Sequence, residues 1–316
     1  MPDSSLSAAL SLLPPGVEAV EAQPIGGSGS NRRYWRLLLS GGTTLIATVG
    51  TNLRENEAFI YLAERLSRAG VRVPQVVGVS ADRMAYLQTD VGSRALFECL
   101  DRRDLIAKSM RLLVDAQTAP NIDYSRCFPV AEMSRRAVMW DLNYFKFCFL
   151  KTCSGLEYDE SGLEDDFEAL AEIITNAEPR GFMVRDFQSR NVMIGADDEP
   201  YLIDFQGGRL GPAHYDVASF LWQARARFAP ELRAEMVSLY CRERRIDPER
   251  FSSDLRYFVV FRLMQALGAY GFRGRFERKD HFLKSIAPAI ASLRTEITNI
   301  SGLPTLASII ANPRFS

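Results

Sequence analysis

Two short runs hold the residue types best suited to chemistry: Val184-Arg185-Asp186-Phe187-Gln188-Ser189-Arg190-Asn191, and then Ile203-Asp204-Phe205-Gln206. Asp and Asn often do no more than cap turns, and any one of these three taken alone reads that way. Their order is what argues for chemistry: an Asp, an Asn five positions on in the same loop, then an Asp-Phe pair at a strand end. Phosphoryl transfer needs a carboxylate to orient a hydroxyl and take its proton, and oxygen ligands for a Mg²⁺ that bridges nucleotide phosphates. Hard oxygen donors such as Asn and Asp suit Mg²⁺. On this reading Asp186 is the base, and Asn191 and Asp204 are the metal ligands.

The elements that must position these residues follow from periodicity and punctuation. Residues 1–20 read as a loosely attached leader with a short helix, and 25–31 as a small Gly/Ser turn. Alternation predicts strands over 33–39 and 43–49, joined at Gly41-Gly42. Asn52 with Glu55 forms a capping-box signal. Ala58, Phe59, Leu62, Ala63 and Leu66 recur at helical spacing up to a stop at Gly70. Strands are expected over 76–79 and 84–88. After Asp90-Val91-Gly92 helical patterns dominate, at about 103–118, 132–152, 163–176, 214–226, 231–243, 254–271 and 280–299. A strand-rich island at 181–184, 192–194 and 201–204 interrupts them and carries the chemistry. The expected class is α+β. A small β-rich lobe with one helix, residues 1–88, precedes a larger, mainly helical lobe, residues 89–316, with ligands expected in the cleft between them.

Composition narrows the partners. The 316 residues carry 38 basic and 39 acidic side chains, a formal net charge of -1, so no general affinity for nucleic acid or anionic membrane is expected. The opening residues have no basic run followed by an apolar core, so no secretory leader is expected. The apolar stretch 257–272 is broken by Arg262 and Gln265 and reads as a buried helix, not a membrane span. Five cysteines without a CxxC pair, and only two histidines, argue against zinc and for reduced thiols in a cytoplasmic protein. His214 and His281 read as structural. A monomer or weak dimer is expected.

The segment with Arg185, Asp186 and Asn191, followed by Asp204-Phe205, resembles the catalytic loop and metal-binding strand of the aminoglycoside phosphotransferase family, distant relatives of the protein kinases. Val184 stands where that family often has a histidine that shapes the loop. Gly211-Pro212-Ala213-His214-Tyr215-Asp216-Val217-Ala218 resembles the family's Gly-Pro-x-x-Tyr-Asp-Leu-Ala pattern, which implies that Asp216 braces the catalytic loop. Ser28-Gly29-Ser30 with Arg32-Arg33-Tyr34, together with Asp204-Phe205-Gln206 and Gly211-Pro212, resembles the bacterial subgroup of cell-wall amino-sugar kinases. The resemblance implies a bilobal protein-kinase-like fold, ATP and Mg²⁺ as cofactors, and a small-molecule acceptor. That acceptor would be the anomeric hydroxyl of N-acetylmuramate or N-acetylglucosamine.

One departure matters. Kinases of this kind hold the nucleotide phosphates with a strand lysine paired to a helix glutamate. The strand at 43–49 has no lysine, and the first lysine of the chain is Lys108. Either arginines and the Gly/Ser turn take over, or nucleotide binding is lost. Arg can grip phosphate in a bidentate way. The candidate nucleotide contacts are therefore Ser28, Gly29, Ser30, Arg32 and Arg33, with Glu57 as the helix glutamate and Gln88 and Asp90 in the connector that would meet an adenine edge through backbone atoms. Candidate acceptor contacts are Arg185, Trp140, Asp141, Tyr144, Trp222 and Gln223. For both tryptophans a place in the core is the stronger expectation. An aminoglycoside antibiotic kinase is an alternative; it would want an acidic pocket, and no compelling acidic cluster stands out, with Glu164, Asp165 and Asp166 as contributors. A nucleotide-sensing pseudokinase is another. A protein kinase is disfavoured, because few residues separate Asp204 from Gly211-Pro212 and no Ala-Pro-Glu segment follows.

Overall fold

The computed structural model describes residues 4–26 and 32–316. In chain order the first elements are α1 (Ser4–Leu10), β1 (Ala19–Ile25), β2 (Arg33–Leu39), β3 (Thr44–Val49), α2 (Leu53–Arg68), β4 (Val76–Val79), β5 (Ala85–Thr89), β6 (Arg94–Ala95) and α3 (Arg103–Gln117). There follow α4 (Arg135–Cys148), α5 (Glu160–Asn176), β7 (Arg180–Met183), β8 (Val192–Ile194), β9 (Pro200–Leu202), β10 (Arg209–Pro212), α6 (His214–Leu221), α7 (Pro230–Arg244), α8 (Pro248–Tyr270), α9 (Asp280–Ile297) and α10 (Pro304–Ala311). The class is α+β, as expected. Residues 1–131 with 189–209 form one compact unit, and 132–188 with 210–316 form a second. The first unit thus contains all of 1–88 and adds 89–131 and the β8–β9 hairpin.

The first unit is built on an antiparallel sheet in the order β1-β2-β3-β5-β4. Period-2 alternation on β2 buries Trp35, Leu37 and Leu39 on one face, where they pack with Ala47, Ala85 and Leu87 and with Leu6 and Ala9 of α1. The leader is therefore not loosely attached: α1 covers this face of the sheet, because its two apolar residues complete a core that the strands leave open. On the opposite face of β2, Arg36 donates to Asp90 at 2.6 and 3.2 Å and to the Gly92 carbonyl at 3.2 Å. Helix α2 begins where the capping signal placed it: the Asn52 side chain accepts from Glu55 N at 3.2 Å. It ends at Gly70, whose φ of 84° favours glycine.

The β8–β9 hairpin is tied down at its turn by ion pairs: Arg72 to Asp197 at 2.8 Å, Arg102 to Asp198 at 3.0 Å, Lys108 to Glu199 at 2.6 Å, and Arg94 to Asp198. Leu202 N also donates to the Arg72 carbonyl at 2.9 Å. These bonds fix the strands whose other ends lead to Asn191 and Asp204.

In the second unit α8 is the central helix, packing against α4, α6 and α9. It is buried as expected of the 257–272 stretch, with Phe258, Val259, Phe261 and Met264 all at most 1% exposed. β7 pairs with β10. Asp166 is buried and accepts from Leu306 N at 2.7 Å, capping α10. His214 is wholly buried, stacked on Phe251 and Phe258 with centroids 4.1 and 4.9 Å away. Helix α6 ends at Leu221, short of the expected 226, and β1, β10 and α10 were not expected. β1 is a mostly exposed edge strand with a proline, so it shows no alternation. Gly211 and Pro212 disguise β10. Among the described residues no helix is long and apolar enough to cross a membrane.

Candidate active site

In the first unit, β8 and β9 bring the expected metal ligands together. Ile203 N donates to the Asn191 carbonyl at 3.0 Å. That register sets the Asn191 Nδ2 amide 3.3 Å from Asp204 Oδ2, and Gln206 Nε2 donates to Asp204 Oδ1 at 2.8 Å. Asp204 has a φ of 61°, a left-handed conformation that costs a non-glycine residue energy and recurs at functional sites. The donor set is one carboxylate and one amide oxygen, and among the described residues no cluster of three or more His, Cys, Asp or Glu forms a metal cage. This fits Mg²⁺, which uses one or two carboxylates and fills its shell with water and substrate phosphates. The next residue, Phe205, is fully buried and stacks on Phe59 of α2 at 4.8 Å, and Phe59 stacks on Tyr86 of β5 at 5.1 Å.

The same unit shows what lies near the place of the missing lysine. Arg32 is buried, lies 5.8 Å from the Phe59 ring centre, and points Nη2 at Glu55, 3.1 Å from its carbonyl and 3.6 Å from its carboxylate. Arg32 also lies within electrostatic reach of the Tyr34 side chain. Burial works against the Arg32 charge, but Tyr86, Tyr34 and Glu55 outweigh it and raise its pKa. Burial raises the Tyr34 pKa; Arg32 opposes this and the Asp204 charge adds to it. Glu57, the expected helix partner, instead pairs with Arg83 at 3.4 Å, with both side chains exposed. Two residues along a helix is a rotation of about 200°, so Glu55 and Glu57 cannot face the same strand. Arg33 is exposed at the start of β2. Gln88 is buried, with Nε2 3.4 Å from Thr48 Oγ1, and the Asp90 carboxylate is held by Arg36. Ser28, Gly29 and Ser30 lie outside the described residues.

In the second unit Asp216 is fully buried and accepts from two successive backbone amides, Val184 N at 2.8 Å and Arg185 N at 2.9 Å. It therefore grips the loop just before Asp186, which is itself half-buried. Arg185 has a φ of 76°. Its guanidinium makes a fork to Asp141 on α4, at 3.0 and 3.1 Å, and lies 5.6 Å from the Tyr215 ring centre. Burial works against the Arg185 charge, and Tyr215 and Asp141 outweigh it and raise its pKa. Two of the expected acceptor contacts thus engage each other.

The remaining acceptor candidates scatter. Trp140 is 55% exposed, which overturns the expectation of a core residue. Tyr144, one turn on, lies 6.0 Å from Phe272, and burial with the nearby Cys148 pushes its pKa up to about 12. Trp222 Nε1 donates to Glu296 at 2.6 Å and the Arg233 guanidinium covers its ring at 5.0 Å. Gln223 Nε2 donates to the Phe220 carbonyl at 2.7 Å. Glu55, Tyr34 and Phe59 cluster with Arg32, and reading the sequence named none of the three as a nucleotide contact. Strand alternation was the available signal, since Arg32 and Tyr34, two apart, share a face.

Comparison with known proteins now has a geometry to meet. The family model described as the phosphotransferase enzyme family matches residues 21–252. An N-acetylmuramate/N-acetylglucosamine kinase of Neisseria meningitidis is 24% identical over 263 residues, 79% of this chain and 76% of that protein. One of Pseudomonas aeruginosa is 23% identical over 207 residues, 64% of this chain and 59% of that protein. Among solved structures, a choline/ethanolamine kinase family protein from Mesorhizobium loti superposes with a TM-score of 0.65 at 14% identity, covering 96% of this chain and 97% of that one. A thermostable mutant of an aminoglycoside phosphotransferase, in a ternary complex with ADP and hygromycin B, gives 0.62 at 15% identity, covering 90% and 96%.

Proposed function

This chain belongs to the phosphotransferase enzyme family, and on that premise we propose that it moves the γ-phosphate of ATP onto the anomeric hydroxyl of an N-acetyl amino sugar. That it is a kinase rests on the family and on amino-sugar kinase relatives along most of its length. The acceptor rests on those relatives alone. The observation that carries the mechanism is the approach of Asn191 to Asp204 at 3.3 Å, in a hairpin clamped at its far end. In the proposed mechanism Asp186 orients the acceptor hydroxyl and takes its proton as the hydroxyl oxygen bonds the γ-phosphorus and the bond from that phosphorus to the bridging oxygen breaks, releasing ADP. Asn191 and Asp204 would hold Mg²⁺, which would supply charge neutralisation at the nucleotide phosphates. Asp216 holds the Val184 and Arg185 amides, so the loop carrying Asp186 is set before substrate arrives. Arg33, exposed at the start of β2, is the proposed second phosphate contact.

The acids that an aminoglycoside would need are largely spent: Lys146 binds Glu164 at 2.5 Å, and Asp166 caps α10. This favours the sugar over the polycationic antibiotic. The test is a coupled assay with Mg-ATP against N-acetylglucosamine, N-acetylmuramate, glucosamine and an aminoglycoside, beside Asp186→Asn. We expect turnover of an N-acetyl sugar and a loss of about 10²–10⁴-fold in the variant, the range for a removed general base. Equal turnover by the variant rejects the role of Asp186. Turnover of the aminoglycoside alone rejects the sugar. Nucleotide binding without turnover of any acceptor favours a nucleotide-sensing module.

A further inference from the structure

The place of the absent strand lysine is filled from the neighbouring strand. Across the sheet, Tyr34 of β2, Thr48 of β3 and Tyr86 of β5 are direct partners in one row, so their side chains share a face. Phe59 of α2 stacks on Tyr86, which identifies this as the face that α2 covers. The β3 residue in this row is Thr48, a short, fully buried hydroxyl that cannot reach a ligand. Arg32, two residues before Tyr34, supplies a cation on the same face and is fixed by Glu55 of α2. A strand cation and a helix carboxylate are thus rebuilt, one strand over and with a different glutamate.

The Arg32 side chain is only 2% exposed, so its charge must act through a neighbour. That neighbour is Tyr34, which is half-buried, stands two residues on along the same face, and lies within electrostatic reach of both Arg32 and Asp204. A phenol beside a buried guanidinium is polarised by its charge and becomes a stronger donor through its own O–H.

We propose that Tyr34, polarised by the Arg32–Glu55 pair, donates a hydrogen bond to the nucleotide phosphates beside Asp204, in place of the family's strand lysine. This rests on the kinase reading above. Tyr34 touches the ligand; Arg32 and Glu55 are positioning residues.

The test is calorimetric binding of adenosine and of ADP, with Mg²⁺, to the full chain and to Tyr34→Phe, Arg32→Gln, Arg32→Lys, Glu55→Gln and Glu64→Gln, with melting temperatures measured in parallel. Glu64 pairs with Arg68 on the exposed side of α2 and controls for loss of a helix charge. Tyr34→Phe should weaken ADP about tenfold, the loss expected for one hydrogen bond to a charged group, and leave adenosine unchanged. Arg32→Gln and Glu55→Gln should act in the same direction, Arg32→Lys should recover part of the loss, and Glu64→Gln should match the native protein. A native ratio of ADP to adenosine affinity in Tyr34→Phe overturns the proposal. So does a parallel loss of both ligands together with melting temperature, which marks a purely structural role. If the native protein binds neither ligand, the kinase reading falls, and this inference with it.

Discussion

Removing one oxygen from Asp216 tests whether the loop before Asp186 is held as the structure implies. The carboxylate is fully buried and accepts from Val184 N at 2.8 Å and Arg185 N at 2.9 Å. Asp216→Asn keeps the shape but offers one acceptor and one NH₂, so one of the two amides meets a donor. Leaving a buried N–H unsatisfied costs about 1–3 kcal/mol, and exchanging a charged acceptor for a neutral one costs about 1 kcal/mol more. The expected loss is about 3 kcal/mol, or about 6–12 °C in melting temperature for a domain of this size. Because the amides lie one and two residues from Asp186, the loop shifts as well. A displacement of about 1 Å at a reacting group costs about 10²-fold in rate. The assay pairs a thermal melt with kcat and with the affinity for ADP. We expect a lower melting temperature, a kcat reduced by about 10²-fold, and ADP affinity within about twofold of native. A variant that melts early but turns over at the native rate refutes the bracing of Asp186. A variant native in both respects refutes the hydrogen-bond geometry itself.

Three further outcomes are expected. His214 has its pKa lowered to about 3, by burial first and then by Arg250, from an ordinary value of 6.5. The unfolded chain therefore takes up the proton first, so the stability this residue contributes is complete above about pH 6.5 and is lost as pH falls toward about 3. At pH 5 the loss is about 2 kcal/mol, and His214→Phe should remove it, measured as a smaller fall in denaturation midpoint between pH 7 and pH 5; unchanged acid sensitivity counts against the assignment. Asp141→Asn breaks the fork to Arg185 and leaves a cation with 20% exposure short of its partner. That should cost about 2 kcal/mol by chemical denaturation, and a native midpoint would show that water replaces the carboxylate freely. Leu6→Ala should destabilise the first unit by about 2–3 kcal/mol, since Leu6 is 7% exposed in the sheet core; an unaltered melt would mean that α1 is dispensable.

Much of the fold is written locally. Alternation on β2, the cap at Asn52 and the stop at Gly70 depend on neighbours a few residues away, so a short window of sequence contains the cause. The candidate chemistry was proposed for the same reason: Asp186, Asn191 and Asp204 stand in one short stretch, and phosphoryl transfer uses oxygen donors of those types. Edge strand β1 was hidden because an exposed strand leaves no apolar period. The leader helix was misjudged because nothing within residues 1–20 reveals the open core of Trp35, Leu37 and Leu39 that Leu6 and Ala9 complete. Tertiary structure alone chose between Glu55 and Glu57, since which turn of α2 faces Arg32 depends on how the helix lies across the sheet. It also joined Asp141 to Arg185 and seated Asp216 under two amides, pairs separated by 44 and about 31 residues. Residue type and order determine which atoms are available for chemistry; packing across distant segments determines which of those atoms meet, because a charge or hydrogen bond acts over ångströms of space whatever the distance along the chain.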